Sequence, residues 1–380
     1  MTTDYDVIVV GGGPGGATAA YFLAQAGRRV LLLEKATPPR YKACGGGLSA
    51  HFLARVFPFA FDDVIETHID SVVWARGRRQ VRVPIAPYAL RTVMRADFDA
   101  HLLAHTRAAV RTGTAVRRVV ESGSHVTVET AAGERLTAAH VIGADGAASL
   151  VARAVGLRCG KVMAGALEVE IPADNAALQC FAHTLLFDFG DVRQGYAWVF
   201  PKARVLSVGI MGLRPQAGEL QAGLRRLAAA HDLSLDGVEV HGHPIPLYLR
   251  REPLQTRRVL LVGDAAGLAD PLSGEGIRLA ITSGQLAAQA LLADQPAAYS
   301  GAVWRRIGWS QRLAGLYCWL YRLAPNALYT LGACNPRLTP ALMDVIAGQG
   351  DYAGVTLTAI ATLPLHLVNE LRRRLSPARA

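Results

Sequence analysis

A glycine-rich turn near the start of the chain, GGGPGG at residues 11–16, separates two segments of different character. Before it, residues 7–10 form a short β-branched run. After it, residues 14–26 have helix composition, with proline at the start and Gly27 just beyond the end. A second apolar run follows at Val30–Leu33. A strand, a helix and a strand within about 30 residues are typical of a βαβ crossover, so the sequence predicts a parallel sheet here.

The glycine spacing within this turn indicates a dinucleotide site. Gly11, Gly13 and Gly16 spell GxGxxG, in which glycine permits a tight turn, close approach of a pyrophosphate and close helix packing. The N–H groups at the helix start then face the anion. Glu34 ends the second strand, where a carboxylate accepts hydrogen bonds from ribose hydroxyls and repels a 2′-phosphate. With its neighbour Lys35 included among the binding candidates, the segment predicts a site for FAD or NAD rather than NADP.

A second glycine-rich turn, in the string VGDAAGLADPLSGEGIRLAITSGQLAA at residues 262–288, narrows the cofactor to a flavin. Asp264 follows an apolar strand and is a candidate to hold a ribityl or ribose hydroxyl; the alternative is an ordinary helix N-cap. The N–H groups around Gly274, Gly276 and Ile277 are candidates to face the pyrimidine edge of the flavin. A reduced flavin carries negative charge there, which the positive end of a helix dipole stabilises by about 0.3 to 2 kcal/mol.

Apolar periodicity predicts the remaining elements. The middle of the chain has the short alternating runs of a mostly antiparallel sheet, and the chain after Asp294 is typical of helices. The predicted strands cover residues 115–121, 126–130, 141–144, 164–171, 180–189, 196–201, 205–210 and 259–262. The predicted helices cover residues 95–109, residues 275–292 and most of the chain after Asp294, with breaks near Pro325, Pro336, Pro340 and Pro364.

The composition limits the class of protein. Hydrophobic residues make up 51% of the 380 residues and charged residues 18%, which argues against a disordered chain or a nucleic-acid-binding tail. The net charge of +10 favours anionic partners, such as phosphates or acidic membrane surfaces, without choosing between them. The five cysteines, which include Cys159 and Cys334, lie far apart without a CxxC pair. Neither a metal site nor a disulfide framework is therefore indicated, and a reducing compartment is the simplest setting.

The expected location of the protein depends on two sequence signals that were not found, a secretory signal and a membrane-spanning segment. The N-terminus, MTTDYDVIVVGGG, lacks the pattern of a secretory signal, and no uninterrupted apolar run reaches the roughly 18 residues of a membrane span. We expect a cytoplasmic protein, with a peripheral position at the cytoplasmic membrane face left open. Residues 295–343 contain no acidic residue, five arginines and three tryptophans. Helices of this composition suit a lipid headgroup layer, and equally suit a helical cap whose arginines are solvated.

Four strings together resemble the FAD elements of the flavoproteins folded like p-hydroxybenzoate hydroxylase. They are GGGPGG at residues 11–16, Arg95-x-x-Phe98-Asp99, GADGAAS at 143–149 and GDAAGLADPLSGEGI at 263–277. Two further strings resemble the geranylgeranyl reductase family within that superfamily: YKACGGGL at 41–48 and YAWVFPK at 196–202, which is similar to the family's YxWxFP signature. The chain departs from the family after this signature, because Gly209 and Gly212 stand where the family shows GxG.

The resemblance implies an α/β fold with three parts. A discontinuous Rossmann-like FAD-binding domain is expected at residues 1–70, 95–160 and 255–295, a mostly antiparallel substrate-binding sheet domain at 71–94 and 161–254, and a C-terminal helical region at 296–380. The resemblance also implies that Arg95 approaches the flavin or its pyrophosphate, that Asp145 and Gly146 support the FAD region, and that Asp264 binds the linker of the cofactor. The alternative for Arg95 and Asp145 is a structural ion pair or turn.

The catalytic candidates are Cys44, Tyr196 and Trp198. Tyr196, Trp198 and Phe200 alternate along a predicted strand, so their side chains point to one face and can line an apolar slot that fits an isoprenoid chain. Cys44, followed by Gly45, lies among glycines where a thiol can contact the flavin or donate a proton. The ordinary alternatives are an aromatic sheet core and a small buried cysteine.

The first functional hypothesis is an FAD-dependent reductase that saturates C=C bonds of a prenyl chain, as the resemblance implies. Hydride would come from the flavin, and the proton from Cys44, Tyr196 or water. The substrate could be a diphosphate, a chlorophyll side chain, an ether lipid or a menaquinone tail, and the electron donor NADH, NADPH, ferredoxin or a quinol. The alternatives are a monooxygenase of the same fold, with halogenation as a variant, and a flavin-containing electron-transfer subunit. The oligomeric state is left unknown.

Overall fold

The computed structural model describes residues 3–86, 90–157, 161–190, 192, 194–216, 218–333, 335 and 337–375, with the backbone alone for 365–375. Cys159, Cys334 and Pro336 lie outside the described residues. The strands are β1 Tyr5–Val10, β2 Val30–Leu33, β3 Gly47–Ser49, β4 Ile65–Ile69, β5 Ser71–Arg76, β6 Arg79–Pro84, β7 Leu90–Val93, β8 Ala109–Arg111, β9 Val116–Glu121, β10 Val126–Thr130, β11 Arg135–Gly143, β12 Val162–Pro172, β13 Thr184–Asp188, β14 Gly195–Pro201, β15 Val205–Leu213, β16 His241–Leu247 and β17 Val259–Leu261.

The helices alternate with these strands in the first two thirds of the chain and follow one another after β17. They are α1 Pro14–Gln25, α2 Ala50–Val56, α3 Arg95–Ala104, α4 Leu150–Ala154, α5 Asn175–Cys180, α6 Glu219–Ala230, α7 Gly263–Ala266, α8 Ile277–Leu292, α9 Tyr299–Val303, α10 Trp309–Leu323, α11 Pro325–Ala333, α12 Leu338–Ile346 and α13 Tyr352–Leu375. A short π-helical segment, Trp304–Gly308, joins α9 to α10.

The first sheet has the order β8-β2-β1-β11-β10-β9, with β17 also beside β11. Strands β8, β2, β1, β11 and β17 run parallel, whereas β9, β10 and β11 form an antiparallel meander. The central strands are apolar and fully buried, as expected of parallel strands covered on both faces, and α1 packs beside α8. The predicted βαβ unit is confirmed, with β2 at Val30–Leu33 and Gly27 at a positive φ of 79° after α1.

The second sheet has the order β16-β12-β15-β14-β13-β5-β6 and is antiparallel except between β13 and β5. Helix α6 covers one face with buried leucines such as Leu224 and Leu227, which pack with Val199 and Val208. The opposite face carries the aromatic residues of β14. The predicted fold class, a Rossmann-like unit with a mostly antiparallel sheet and a helical C-terminal region, is confirmed. The domain boundaries remain a prediction.

A third, small sheet with the order β3-β7-β4 was not predicted. Its strands are three to five residues long, too short for a clear alternation of apolar and polar residues. Strand β7 bonds to this sheet rather than to the second sheet. The Thr92 hydroxyl donates to the Pro201 carbonyl at 2.7 Å, which ties the small sheet to the end of β14.

Several predicted element boundaries are wrong. The helix expected at residues 95–109 ends at Ala104, because residues 109–111 pair with β2 as an edge strand. The strand expected at 180–189 is split into the end of α5 and β13, because Asp174 caps a helix by accepting from the Ala177 N–H at 2.8 Å. The helix expected from residue 275 begins at Ile277.

The C-terminal helices pack on one another and on the loop at residues 270–276. Ala314, Leu338, Val345, Tyr352 and Val355 form their buried core. The breaks expected at Pro340 and Pro364 are wrong. Pro340 is in the first turn of α12, where its missing N–H has no helical partner to lose, and α13 continues through Pro364. Among the described residues, no helix has both the length and the apolar character needed to cross a bilayer.

Candidate cofactor and active site

The GGGPGG turn forms a tight approach between β1 and α1. Gly11 has a φ of 106°, and a Cβ there would lie 2.4 Å from the Ala144 carbonyl oxygen. A Cβ on Gly16 would lie 2.0 Å from the Gly11 carbonyl oxygen, so neither glycine can be replaced without moving backbone. Around Gly13, the nearest atom to such a Cβ is a nitrogen of Arg40 at 3.9 Å. The start of α1 carries no side-chain cap and no acidic residue in its first turn, which suits an anionic ligand.

Glu34 is buried at the end of β2 and already accepts hydrogen bonds from the chain itself. Its two carboxylate oxygens accept the Gly12 N–H at 2.7 Å and the Ala36 N–H at 2.9 Å. Arg40 lies 3.7 Å from the same carboxylate. Each oxygen keeps a further lone pair for a ribose hydroxyl, so the predicted role is compatible with this geometry. Lys35, in contrast, is exposed.

Arg95 forms a buried ion pair at the start of α3. Its guanidinium donates to both oxygens of Asp99, at 2.9 Å each, and Arg40 reaches the same carboxylate at 3.1 Å. Burial opposes the charged form of Arg95, but Asp99 raises the pKa of Arg95, and the Cys44 side chain adds to the rise by charge and a hydrogen bond. Arg95 therefore forms the structural ion pair that was the alternative to a cofactor contact. The same position puts its side chain beside Cys44 of the cysteine-glycine segment.

Asp145 organises its own turn rather than an ion pair. Its carboxylate accepts the Ser149 hydroxyl at 2.5 Å and the N–H groups of Leu150 and Val151 at 2.7 and 3.0 Å. The following Gly146 has a φ of 79°, and nothing lies within 4 Å of a Cβ built there. Asp145 thus shapes the turn next to Ala144, which contacts Gly11, and its direct contact with a cofactor stays a prediction.

Asp264 lies in a charged group that the sequence alone did not reveal. His243 of β16 lies 3.7 Å from its carboxylate, and the Lys42 ammonium lies 2.8 Å from the same His243 ring nitrogen. Burial alone would raise the pKa of Asp264, but the His243 hydrogen bond and the charges of Lys42 and Arg95 lower it. Burial and the charge of Arg95 lower the pKa of Lys42. The N-cap alternative is wrong, since Asp264 makes no side-chain cap to α7.

The loop at residues 270–276 precedes α8 and carries backbone N–H groups that were predicted to face the flavin. One of them is bonded within the loop itself. The Gly274 N–H donates to the Asp270 carbonyl at 2.9 Å, so this donor is already used within the loop, and the predicted contact of Gly274 with the flavin edge stays a prediction. The N–H groups of Gly276 and Ile277 make no hydrogen bond within the described part of the chain. A Cβ on Gly276 would lie 3.6 Å from the Asp264 carboxylate, so these free donors adjoin the Asp264 group.

Tyr196, Trp198 and Phe200 share one face of β14, as predicted. The ring centroids of neighbouring members lie 6.1 and 6.3 Å apart, and all three residues are buried. Gly209 accommodates the indole, because a Cβ there would lie 2.0 Å from the Trp198 ring. Gly45 also packs closely against the wall. A Cβ on Gly45 would lie 2.8 Å from the Phe200 ring and 3.2 Å from Trp198 Nε1. The predicted cysteine-glycine segment and aromatic strand therefore meet.

Two polar atoms of this wall differ in their partners. The Tyr196 hydroxyl donates to the Ser273 carbonyl, and burial followed by the charge of Asp270 raises the pKa of Tyr196. The buried Nε1–H of Trp198 has no acceptor among the described residues. A buried indole N–H without a partner is costly, which indicates that a bound group accepts it. Tyr196 is therefore held in the wall, whereas the Trp198 N–H is available to a ligand, and its contact with one stays a prediction.

Cys44 lies between the wall and the ion pairs. Its Sγ accepts the Gly46 N–H at 3.4 Å, and the side chain is among the neighbours that raise the pKa values of Arg95, Tyr41 and Tyr196. The thiol is partly exposed and free. The three catalytic candidates thus converge from two distant segments of the chain, although their catalytic roles remain predictions.

These residues fit FAD, which would be held between the start of α1 at the first sheet and the aromatic wall of the second. The open Gly13 turn suits the pyrophosphate, Glu34 the adenosine ribose, and Asp264 the ribityl chain. The free N–H groups of Gly276 and Ile277 and the unpartnered Trp198 Nε1 would be the donors available to the isoalloxazine. Lys42, Arg40 and His243 were missed because their spacing carries no signal; only Lys42 lies inside a quoted string, YKACGGGL.

Comparisons with known proteins agree with this geometry. Residues 6–201 match the family described as FAD dependent oxidoreductase. The chain is 34% identical over 304 residues to the geranylgeranyl diphosphate reductase of Rhodobacter capsulatus, covering 76% of this chain and 75% of that protein. It is 29% identical over 375 residues to the menaquinone reductase of Mycobacterium tuberculosis, covering 90% and 89%. A solved geranylgeranyl bacteriochlorophyll reductase-like protein from Thermoplasma acidophilum superposes with a TM-score of 0.76 at 26% identity, covering 97% and 98%.

Proposed function

The chain belongs to the geranylgeranyl reductase family of FAD-dependent oxidoreductases, and from this premise we propose that it saturates C=C bonds in the prenyl chain of a lipid, quinone or diphosphate. The observation that carries the proposal is the buried aromatic wall with the free Trp198 N–H, which Gly45 approaches beside Cys44. This arrangement offers a flat apolar surface next to the predicted flavin position. A prenyl chain has the shape and apolar character that such a surface binds.

When bound, FAD supplies the hydride chemistry, which no side chain of the protein can supply. The residues of this chain bind the cofactor and orient the prenyl substrate beside it. The start of α1 holds the anionic pyrophosphate, and the Gly276 and Ile277 N–H groups stabilise negative charge at the start of α8. Trp198 donates from the wall, and the aromatic rings exclude water from the reacting bond. An isolated alkene is a poor electrophile, so its alignment and the delivery of a proton limit the reaction.

The substrate class follows from the chemistry of the relatives and of the site. One relative is named for geranylgeranyl diphosphate and another for menaquinone; both compounds carry prenyl chains. The net charge of +10 favours a substrate with an anionic end or a location at an anionic surface. The reducing equivalents come from an external donor. The candidates are NADH, NADPH or a quinol, each of which carries two electrons, and reduced ferredoxin, of which two molecules are needed because each carries one electron.

The proposed location is the cytoplasmic face of a membrane, because the substrate chain is lipid-soluble. Helices α10 and α13 support this with a surface that we call the apolar face. Its exposed members are Trp309 (59% exposed), Leu316 (46%), Trp319 (50%), Leu323 (58%), Leu357 (67%), Ile360 (65%) and Leu363 (40%). The exposed arginines Arg305, Arg306, Arg312 and Arg322 lie on or next to α10. Each basic residue near an anionic bilayer contributes about 1 kcal/mol, so the face suits a membrane containing anionic lipid.

The decisive experiment is a single turnover without air. The protein is reconstituted with FAD, photoreduced, and mixed with geranylgeranyl diphosphate or a menaquinone. We expect reoxidation of the flavin and a product heavier by pairs of hydrogens, measured by absorbance and mass spectrometry. The same reaction with oxygen tests the monooxygenase alternative, which requires an oxygen atom in the product. Reoxidation that needs a second protein, with no change in the prenyl compound, would contradict the reductase.

A further inference from the structure

A buried group of polar side chains lies on the sheet face that carries the aromatic wall. Glu168 and Glu170 lie on β12, and the Lys202 ammonium pairs with Glu170. Glu168 accepts the Ser207 hydroxyl at 3.0 Å on one oxygen and the Tyr41 hydroxyl on the other. Glu168 and Lys202 are each 2% exposed. Neither carboxyl group was a candidate from the sequence.

The register of the sheet places this group inside the predicted site. Glu168 lies opposite Gly209, which lies opposite Trp198, so these residues form one row across β12, β15 and β14. The Trp198 ring covers Gly209, so it extends over the position between Trp198 and Glu168. On the other side, β16 places His241 opposite Glu168, and the His243 of that strand contacts Asp264. Glu168 thus lies between the aromatic wall and the predicted ribityl site, and Glu170 lies in the next row of the same face, opposite Ser207, which lies opposite Phe200.

The charges of the group balance only if the pair carries a proton. Two carboxylates and one buried ammonium leave a net negative charge in a low-dielectric sheet face, which is strongly disfavoured. Oε2 of Glu170 is buried and receives no hydrogen bond from an N–H or O–H group of the described residues. A proton held between Glu168 and Glu170 removes both problems at once. Consistently, burial and the neighbouring Glu168 together raise the pKa of Glu170 to about 7 against the opposing charge of Lys202.

We propose that the Glu168–Glu170 pair stores the proton that accompanies the hydride, and that Tyr41 connects the pair to solvent. The inference rests on the proposed function. In the step, the O–H bond of the carboxylic acid breaks and a C–H bond forms at the alkene carbon that does not receive the hydride. The two electrons arrive with the hydride from the cofactor, which the external donor has reduced. The pair is left as two carboxylates beside Lys202 and regains a proton from water.

Tyr41 provides the connection to water. Its hydroxyl donates to Glu168, its ring lies 4.2 Å from the His241 ring, and the residue is 45% exposed. Burial of the hydroxyl, then Glu168, Glu170 and Cys44, raise the pKa of Tyr41, so Tyr41 passes a proton along its hydrogen bond rather than losing one. The groups facing the pair are therefore Tyr41 and Cys44 from the loop, Lys202 and Ser207 from the β14–β15 hairpin, and His241 from β16.

The test compares Glu170→Gln and Glu168→Gln with a matched control, Glu219→Gln. The Glu219→Gln substitution replaces a glutamate by the same amide but at the start of α6. This helix packs on the opposite face of the same sheet, through Gly223 and Ile210, away from the acid pair. The photoreduced protein is mixed with geranylgeranyl diphosphate at a series of pH values, in H2O and in D2O. We expect the reoxidation rate of the wild type to fall by about tenfold per pH unit above pH 7, because the proton store empties.

The variants separate a proton store from a structural role. Glu170→Gln should slow reoxidation by roughly 100-fold or more and lose both the alkaline fall and the solvent isotope effect. Glu170→Asp, which keeps an acid, should retain the alkaline fall, and Glu219→Gln should match the wild type. Normal FAD content and circular dichroism identify a folded variant. If Glu170→Gln and Glu168→Gln both keep the wild-type pH profile, the proposal is overturned.

A measurement without cofactor or substrate distinguishes this inference from the proposed function. The folded pKa of Glu170 lies above the ordinary value of 4.5, so the folded state retains a proton that the unfolded state has lost. The unfolding free energy of the ligand-free wild type, relative to Glu170→Gln, should therefore fall as the pH rises from about 4.5 to 7 and be constant above 7. A pH-independent difference overturns the proton store. A wild type that shows this fall but reduces no prenyl compound would instead overturn the proposed function.

Discussion

At the residue scale, the site depends on atoms whose partners are not all within the chain. Most buried polar atoms around it are satisfied: Glu34 by two N–H groups, Asp145 by its own turn, and Tyr196 by Ser273. Trp198 Nε1 is the exception in the aromatic wall, among the described residues. Folded proteins keep few such atoms, so an unpartnered donor next to a predicted cofactor position is the atom at which we expect a ligand to accept a hydrogen bond.

Trp198→Phe tests this at a single atom. Phenylalanine removes the N–H but keeps an aromatic ring, so the unfolding free energy of the ligand-free protein should change by less than about 1 kcal/mol, because the lost packing and the lost unpaired donor offset one another. The affinity for FAD or for the prenyl substrate should fall by about 5- to 10-fold, the value of one hydrogen bond. Chemical denaturation, FAD titration and KM measure these effects.

The matched control is Trp74→Phe in the same sheet. Trp74 Nε1 donates to the Thr339 hydroxyl at 3.0 Å, so its loss breaks a made hydrogen bond and should lower the unfolding free energy by about 1 to 3 kcal/mol. If Trp198→Phe leaves both FAD affinity and KM unchanged, no ligand accepts the Trp198 N–H.

At the element scale, the C-terminal helices help to hold the loop at residues 270–276, which is predicted to face the flavin. Tyr352, at the start of α13, donates to the Asp270 carboxylate at 3.0 Å, and the same oxygen accepts the Leu272 and Ser273 N–H groups at 2.8 Å each. The Tyr196 hydroxyl donates to the Ser273 carbonyl of the same loop. The loop leading to Gly276 and Ile277 is thus fixed from α13 on one side and from β14 on the other.

Tyr352→Phe should therefore affect both stability and cofactor binding. The hydroxyl bonds a buried carboxylate, and a hydrogen bond to a charged group contributes about 1.5 to 3 kcal/mol, so we expect an unfolding free energy lower by that amount and a several-fold weaker affinity for FAD. Thermal unfolding and FAD titration measure the two effects. Tyr317→Phe is the control, because its hydroxyl contacts Thr356 within the helical region. An equal loss of FAD affinity in both variants would show that the Asp270 contact is not specific.

At the scale of the whole molecule, charge and exposed apolar residues are unevenly distributed. Trp309 and Trp319 belong to the apolar face, and exposed arginines lie on or next to α10, whereas the predicted cofactor residues belong to the two large sheets and the segments between their strands. Arg251 and Arg312 also lie over the Trp304 ring, at 5.7 and 5.9 Å from its centroid. Helix α13 also contacts the loop at residues 270–276 through Tyr352. A membrane bound at the apolar face would therefore lie close to the predicted cofactor site.

Vesicle binding tests the apolar face. The protein should sediment with vesicles of phosphatidylcholine and phosphatidylglycerol, less with phosphatidylcholine alone, and less at high salt, because the arginine contribution is screened. The double variant Trp319→Gln with Leu323→Gln should bind at least about tenfold more weakly. The control is Val240→Gln, another exposed apolar residue, at 47% exposure, but on the sheet domain. Failure of the wild type to bind, or equal binding by both variants, would contradict the proposal.

The sequence by itself determined the features that depend on local spacing. The GxGxxG turn, the acid that ends β2 and the alternation of Tyr196, Trp198 and Phe200 each follow from the short-range geometry of a turn or strand, so these features could be predicted without the fold. The same reasoning misplaced the end of α3, the break of α5 from β13 and the effect of Pro364. Those boundaries depend on strand pairing, a side-chain cap and helix packing.

The tertiary structure alone decided which distant residues meet. Lys42 joins His243 and Asp264 across about 200 residues of sequence, and Tyr41 joins Glu168, because the loop before β3 packs over β12 and β16. Sheet register alone aligns Glu168, Gly209 and Trp198 in one row. Periodicity within a segment records which face a side chain occupies, but it contains no information about which other segment covers that face. The cofactor turns were therefore readable in advance, and the acid pair was not.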